Sequence, residues 1–301
     1  MHIRFAAILA TVAAPVFAQA PNVATDISPV HGLVSRVMDG VGSPALVMPP
    51  SASVHSHDLR PSEAAALVEA AVVFWIGEEL SPWLLRPVQT LASDAVVVTL
   101  LEVEGTNLLP FREAEGFDGE DDHGQDGDHG HGGIDPHAWL DPENARLWLD
   151  AIAETLAAAD PANAAAYRDN AAAGRDEIAE AVEAVAVQLA EADAIRYAVF
   201  HDAYQYFEER FGLHPVAAVT LGDAAAPGPA RIADVQGQLL ESGTDCFLIE
   251  PNQSTSLVEI FSDAGTLRRI EIDPLGTRVP AGPNHYPALL ASLAGTFAAC
   301  R

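Results

Sequence analysis

The chain contains no lysine. All fifteen of its basic residues are arginine, against forty-three acidic ones, for a formal net charge of -28. The arginine-only usage reads as a habit of genome or habitat, without mechanistic meaning. The charge excludes a nucleic-acid binder, which needs a basic footprint to neutralise phosphates, and suits a protein that attracts cations. Cysteine is scarce as well: only Cys246 and Cys300 occur, both in the last quarter. Beyond the first twenty residues no stretch reaches the roughly 18 to 20 apolar residues of a membrane-spanning helix. A His-Glu-x-x-His run, the mark of a helical zinc hydrolase, is also missing.

What is present points to a packed, exported protein. Hydrophobic residues make up 49% of the 301 positions, enough for two ordinary domains or one large one. Residues 1–20 read as a secretory signal: Arg4 gives a short positive region, Phe5 to Phe17 is almost unbroken apolar sequence, and small residues allow cleavage after Ala18 or Ala20. In an oxidising compartment an even cysteine pair reads as one structural disulfide. Closing a loop of about 55 residues contributes roughly 3 to 4 kcal/mol through the unfolded state.

Short apolar runs alternate with helical periodicity, the pattern of βαβ units with a parallel sheet covered on both faces. In the first part, strands are expected at 22–27, 45–48, 71–76 and 95–101. Helices are expected at 29–38, from Pro61 to Ala70 with Ser62 as N-cap, and at 82–91. Residues 113–133 break the rhythm with eight acidic residues, many glycines, and His123, His129 and His131. Such a tract has too little apolar content to offset its ordering entropy and reads as a disordered acidic loop. A helix follows at 142–159. Residues 161–192 then form an Ala/Glu-rich helical run of roughly thirty residues, about 45 Å long. Asp160 is read as its N-cap and Pro161 as its first residue. That length suits a spine between two lobes, with Gly174 a weak point costing roughly 1 kcal/mol relative to alanine. The alternation resumes with strands at 196–200, 215–221, 245–250 and 267–272, and helices at 203–211, 229–241, 256–264 and 286–300. The expected fold is therefore α/β: a lobe over 21–160, the spine, and a lobe over 193–301, each with a four-stranded parallel sheet.

In open parallel sheets ligands bind beyond the carboxyl ends of the strands. The polar residues that fall there are His55 and His57, His137 in the segment entering a helix, His201, Glu250 and Asp273. Neutral imidazoles and a carboxylate converging from separate loops suit zinc. His31, His214 and His285 lack this placement and read as structural. Trp139 and Tyr204 read equally well as cleft wall and as core. Glu250 could serve as the general base of a metallohydrolase, the rival reading from another class.

Four segments carry a family resemblance. His55-Ser56-His57-Asp58-Leu59-Arg60-Pro61-Ser62 resembles the first ligand motif of the cluster A-I substrate-binding proteins of zinc and manganese ABC importers. Asp135-Pro136-His137-Ala138-Trp139-Leu140-Asp141-Pro142 resembles the second, and Phe200-His201-Asp202-Ala203-Tyr204-Gln205-Tyr206-Phe207 the third. Ile272-Asp273-Pro274-Leu275-Gly276 is similar to the fourth. The resemblance implies two lobes on a rigid helix with the metal between them, held by His55, His137 and His201 with Asp273 as fourth ligand. His57 stands where the family usually has an aromatic residue and is the alternative first ligand. Val54 replaces a glutamate that some zinc members carry. The resemblance further implies a periplasmic, non-enzymatic, monomeric carrier of Zn2+. Its partner would be an ABC importer permease, with room for a periplasmic zinc chaperone. The histidines of the acidic loop would form an accessory weak site. A manganese carrier and a metal-dependent adhesin are the other outcomes the same family allows.

Overall fold

A computed structural model describes residues 20–50, 52–112, 133–191, 195–220, 227–244, 246–251, 261 and 267–301. Two four-stranded parallel sheets form the frame. The first contains β1 (Val23–Thr25), β2 (Ala45–Leu46), β3 (Val72–Trp75) and β4 (Val96–Thr99), in the order β2-β1-β3-β4. The second repeats that order as β6-β5-β7-β8, with β5 at Tyr197–His201, β6 at Ala217–Thr220, β7 at Cys246–Ile249 and β8 at Arg268–Glu271. Central pairs stay in register through Ala24 opposite Val73 and Ala198 opposite Phe247. In each sheet the chain reverses its direction of travel between the two central strands, which places a crevice at their carboxyl ends.

Burial follows the sequence pattern in the centre and departs from it at the edge. β3 is wholly buried, whereas Val96 and Val97 of edge strand β4 are 53% and 39% exposed. Helices α1 (Ser28–Val37), α2 (Pro61–Glu69) and α3 (Pro82–Leu91) belong to the first lobe. Each carries a proline in its first turn, where the missing N–H costs nothing. α2 starts at Pro61 as expected, but its N-cap lies two residues before Ser62. Arg60 is the N-cap and its N–H donates to Glu63 Oε2 at 2.7 Å, so Ser62 is already inside the helix.

α4 (Pro142–Ala159) and the spine α5 (Ala164–Gln188) follow. The spine has 25 residues, about 37 Å, and is shorter than the expected run. Asp160 closes α4, and its carboxylate accepts from Asn163 Nδ2 (2.7 Å) and the Tyr167 hydroxyl (2.9 Å), so the N-cap position passes to Asn163. Gly174 is a close-approach position and no weak point. A Cβ there would stand 3.0 Å from Arg36 Cγ and 3.1 Å from Leu149 Cδ1, so glycine lets three helices meet. Arg36 then forks onto Glu177 of the spine at 2.8 and 3.0 Å.

The second lobe adds α6 (Gln205–Phe211), α7 (Pro229–Ser242) and α8 (His285–Ala298). The helix expected at 256–264 lies outside the described residues apart from buried Phe261. Cys246 of β7 and Cys300 are joined as a disulfide with Cα atoms 5.5 Å apart, fastening the end of α8 to the sheet. Among the described residues no helix is long and apolar enough to cross a membrane.

The core explains how the lobes are held. One cluster runs through both, from Val34 and Phe74 by way of Trp148, Leu149, Tyr167 and Ile178 to Phe207, Leu289 and Phe297. Two smaller clusters cover the outer faces. Val73, Trp75, Leu67 and Val88 pack behind the first sheet, and Phe200, Val235, Phe247 and Phe261 behind the second. A shared close-packed core resists large hinge motion, because separating it would expose apolar surface at about 25 cal/mol per Å².

Candidate metal centre

His55, His137 and His201 meet where the two sheets present their carboxyl ends. Each offers a ring nitrogen, and the three nitrogens lie within 4.8 Å of one another. The ring centroids are 5.0 Å (His137–His201), 5.7 Å (His55–His201) and 5.9 Å (His55–His137) apart. His137 and His201 are buried and His55 is half-buried.

Each ring is aimed by its outer nitrogen. His55 follows Val54, whose carbonyl accepts from Ser81 Oγ (2.9 Å) and Trp83 Nε1 (2.8 Å). The His55 Nδ1 contacts the Leu80 carbonyl at 3.2 Å. His137 sits in a tight turn in which Asp135 Oδ1 accepts both its backbone N–H (3.0 Å) and Nδ1 (2.7 Å). His201 is the last residue of β5, and its Nδ1 contacts Glu250 Oε1 at 3.0 Å, from the end of neighbouring strand β7. Carbonyl and carboxylate oxygens only accept, so each Nδ1 carries the proton and each lone pair sits on Nε2. This is the outer support that metal-binding histidines use. Zinc at about 2.0–2.1 Å from each nitrogen would hold them roughly 3.3 Å apart, a contraction of at most about 1.5 Å.

The electrostatics match this arrangement. Burial alone would raise Glu250, but His201, His137 and the Tyr204 hydroxyl outweigh it and hold the carboxyl below its ordinary range. Burial lifts Asp202, next to His201, to about 7, with the Arg112 guanidinium opposing. Asp26 at the end of β1 also rises to about 7 through burial. Its two oxygens accept from Ile27 N and Ile76 N, both at 2.8 Å, which ties the first-lobe strand ends together.

Other expected site residues take different places. The His57 Nε2 contacts Glu63 Oε2 at 2.8 Å and its ring stands edge-on to Trp83 at 5.1 Å, so it lies outside the three-histidine cluster. Asp273 is also outside that cluster. Its oxygens accept from Leu275 N (3.1 Å), Thr277 N (2.6 Å) and Thr277 Oγ1 (2.7 Å). Trp139 and Tyr204 are each 1% exposed and belong to the core; their polar atoms donate to Pro274 O (2.9 Å) and Glu250 Oε1 (3.2 Å). Glu250 is engaged with His201 of the cluster, which removes the motive for reading it as a free general base. His123, His129 and His131 fall outside the described residues. Asp135 is the functional residue that strand-end reasoning missed. Its spacing two residues before His137, across a proline, was the available signal.

A sequence profile described as the periplasmic component A of the zinc-uptake complex, ZnuA, matches residues 23–300. The chain belongs to the ZnuA family. It is 37% identical over 327 residues to the high-affinity zinc uptake system protein ZnuA of Paracoccus denitrificans, covering 98% of this chain and 96% of that protein. The protein of the same name from Brucella abortus is 36% identical over 305 residues, covering 93% and 91%. A solved structure of a ZnuA deletion mutant with zinc bound superposes with a TM-score of 0.76 at 19% identity, covering 93% of this chain and 97% of that one. The two-lobed ZnuA fold is thus shared well below the level at which sequence alone would argue it.

Proposed function

We propose that this ZnuA-family chain captures zinc between its lobes in the periplasm and hands it to the permease of an ABC importer. The observation that carries the reading is the meeting of three histidines, each with its outer nitrogen held by an oxygen acceptor. Capture and release need no bond-making chemistry, so a carrier requires nothing further from the site. Three nitrogen donors favour zinc over manganese, which takes oxygen-rich sites.

His55, His137 and His201 are the proposed ligands, with Asp273 as the fourth. Pro274, next to Asp273, accepts at 2.9 Å from Nε1 of Trp139, two residues after His137, which supports putting Asp273 near the centre. Among the described residues the Asp273 Oδ1 accepts only from Leu275 N, so that oxygen keeps a lone pair for the ion while Oδ2 stays with Thr277. The tract at 113–133 is proposed to collect zinc weakly through His123, His129 and His131. Protons compete for every imidazole, so affinity at both places falls as pH is lowered. The exported chain, cleaved after Ala18 or Ala20, is proposed to act as a monomer, with a zinc chaperone as a second partner.

Calorimetric titration of the mature protein and of a variant lacking residues 113–133 tests this. One tight zinc is expected in both, with weaker uptake only in the intact chain. Loss of the tight site on deletion would overturn the ligand assignment.

A further inference from the structure

We propose that Arg112 is a positioning residue of the cleft, a cation that locks its two walls together and sets the rate at which metal leaves. The inference rests on the zinc-carrier reading above. Arg112 ends a short extended segment, Leu109–Arg112, that runs antiparallel to Gly133–Asp135. Pro110 bridges Ile134, Phe111 N donates to Gly133 O at 3.3 Å, and Asp135 N to Leu109 O at 2.8 Å. This pair of segments belongs to the first lobe and ends on Asp135, the residue that aims His137.

The Arg112 guanidinium crosses to the second lobe. It pairs with Asp202 Oδ1 at 3.3 Å and with Glu208 Oε2, and the three side chains are 16%, 3% and 1% exposed. Asp202 directly follows His201, and its own N–H donates to Thr220 O at 3.1 Å, so the carboxylate is fixed to the strand end that presents the ligand. Glu208 is fixed by the Tyr197 hydroxyl at 2.8 Å. Tyr206 makes a second stitch over the same seam: its hydroxyl accepts from Leu109 N (2.9 Å) and donates to Asp135 O (2.7 Å). Arg112 therefore joins the strap behind His137 to the residue after His201. Those two ligand rings are also the closest pair in the site.

The physics favours a lock. Two nearly buried carboxylates share one guanidinium, and taking it away leaves them unpaired and facing each other, which favours separation of the walls. With the cluster intact, opening the cleft must break a charge-assisted bond to Glu208 and an ion pair to Asp202, both largely shielded from water.

The test is zinc release into an excess of a coloured chelator, followed by stopped flow. It uses the full mature chain, Arg112→Gln, Arg112→Lys, and Arg168→Gln as a control at an exposed pair between α4 and α5. Arg112→Gln is expected to release zinc about tenfold faster or more, the equivalent of one charge-assisted hydrogen bond. Arg112→Lys should fall between it and the parent, and Arg168→Gln should match the parent. The absorption spectrum of bound cobalt is expected to be the same in all four, because the ligands are untouched. A parent-like rate in Arg112→Gln, or an altered cobalt spectrum, would overturn the lock. If Arg112→Gln fails to fold by circular dichroism, Tyr206→Phe decides: release about threefold faster supports the lock and an unchanged rate overturns it. Failure of the parent itself to hold zinc against the chelator would instead overturn the carrier reading.

Discussion

The two lobes share one strand order and yet aim their histidines by different means. In the second lobe His201 rides on the end of a strand, and its Nδ1 meets the carboxylate of Glu250 from the neighbouring strand. In the first lobe both histidines lie on loops. His137 leans on the carboxylate of Asp135, and His55 on a main-chain carbonyl, that of Leu80. A carboxylate does more than orient a ring, since it also raises the basicity of the nitrogen that faces the metal. On the proposed assignment, His137 and His201 are the pair with carboxylate support, and His55 is oriented by a neutral carbonyl.

If carboxylate support separates His137 and His201 from His55, the effects of substitutions at the site should differ in size. His137→Ala removes a buried proposed ligand and the ring contact of Asp135; titration is expected to show zinc affinity down on the order of a thousandfold. Retention of tight binding would take His137 out of the site. Asp135→Asn keeps the turn acceptor but removes the charge, and affinity should drop by about 10 to 100-fold. A change as small as that of an exposed carboxylate would show that orientation matters and basicity does not. For Glu250→Gln the loss is expected nearer tenfold, because Glu250 is 18% exposed against 1% for Asp135 and its charge is better screened. Equal losses for the two carboxylates would make the lobes equivalent. Finally, His57→Ala should leave zinc affinity within about threefold, since His57 is engaged with Glu63. His55→Ala, measured beside it, should be clearly worse; the reverse ranking would exchange the two.

Legibility from the sequence was uneven for physical reasons. All eight strands could be read, because central parallel strands are buried on both faces and appear as short apolar runs. The edge strands were over-read as covered, since Val96 and Val97 are as apolar as a buried pair while lying partly in solvent. The Asp160-Pro161 pair carried a helix-start signature, yet the carboxylate was taken by Asn163 and Tyr167 and the spine began later. Gly174 had the composition of a weak point and the surroundings of a helix crossing. His55 and His57 are two residues apart in one loop, so sequence left them as alternatives. The fold separates them by giving His57 a buried glutamate and His55 the other two rings.

Residue order was enough for the class of fold, the two-lobed division, the cysteine pair, and His137 and His201 with His55 or His57 beside them. Those follow from local periodicity, punctuation and residue chemistry, which a chain carries wherever it is placed. Packing was needed to show which nitrogen of each ring faces inward, that Glu250 supports His201, and that Arg112 spans the seam to Asp202 and Glu208. Each of these depends on partners tens of residues away, brought together by packing that no local pattern encodes.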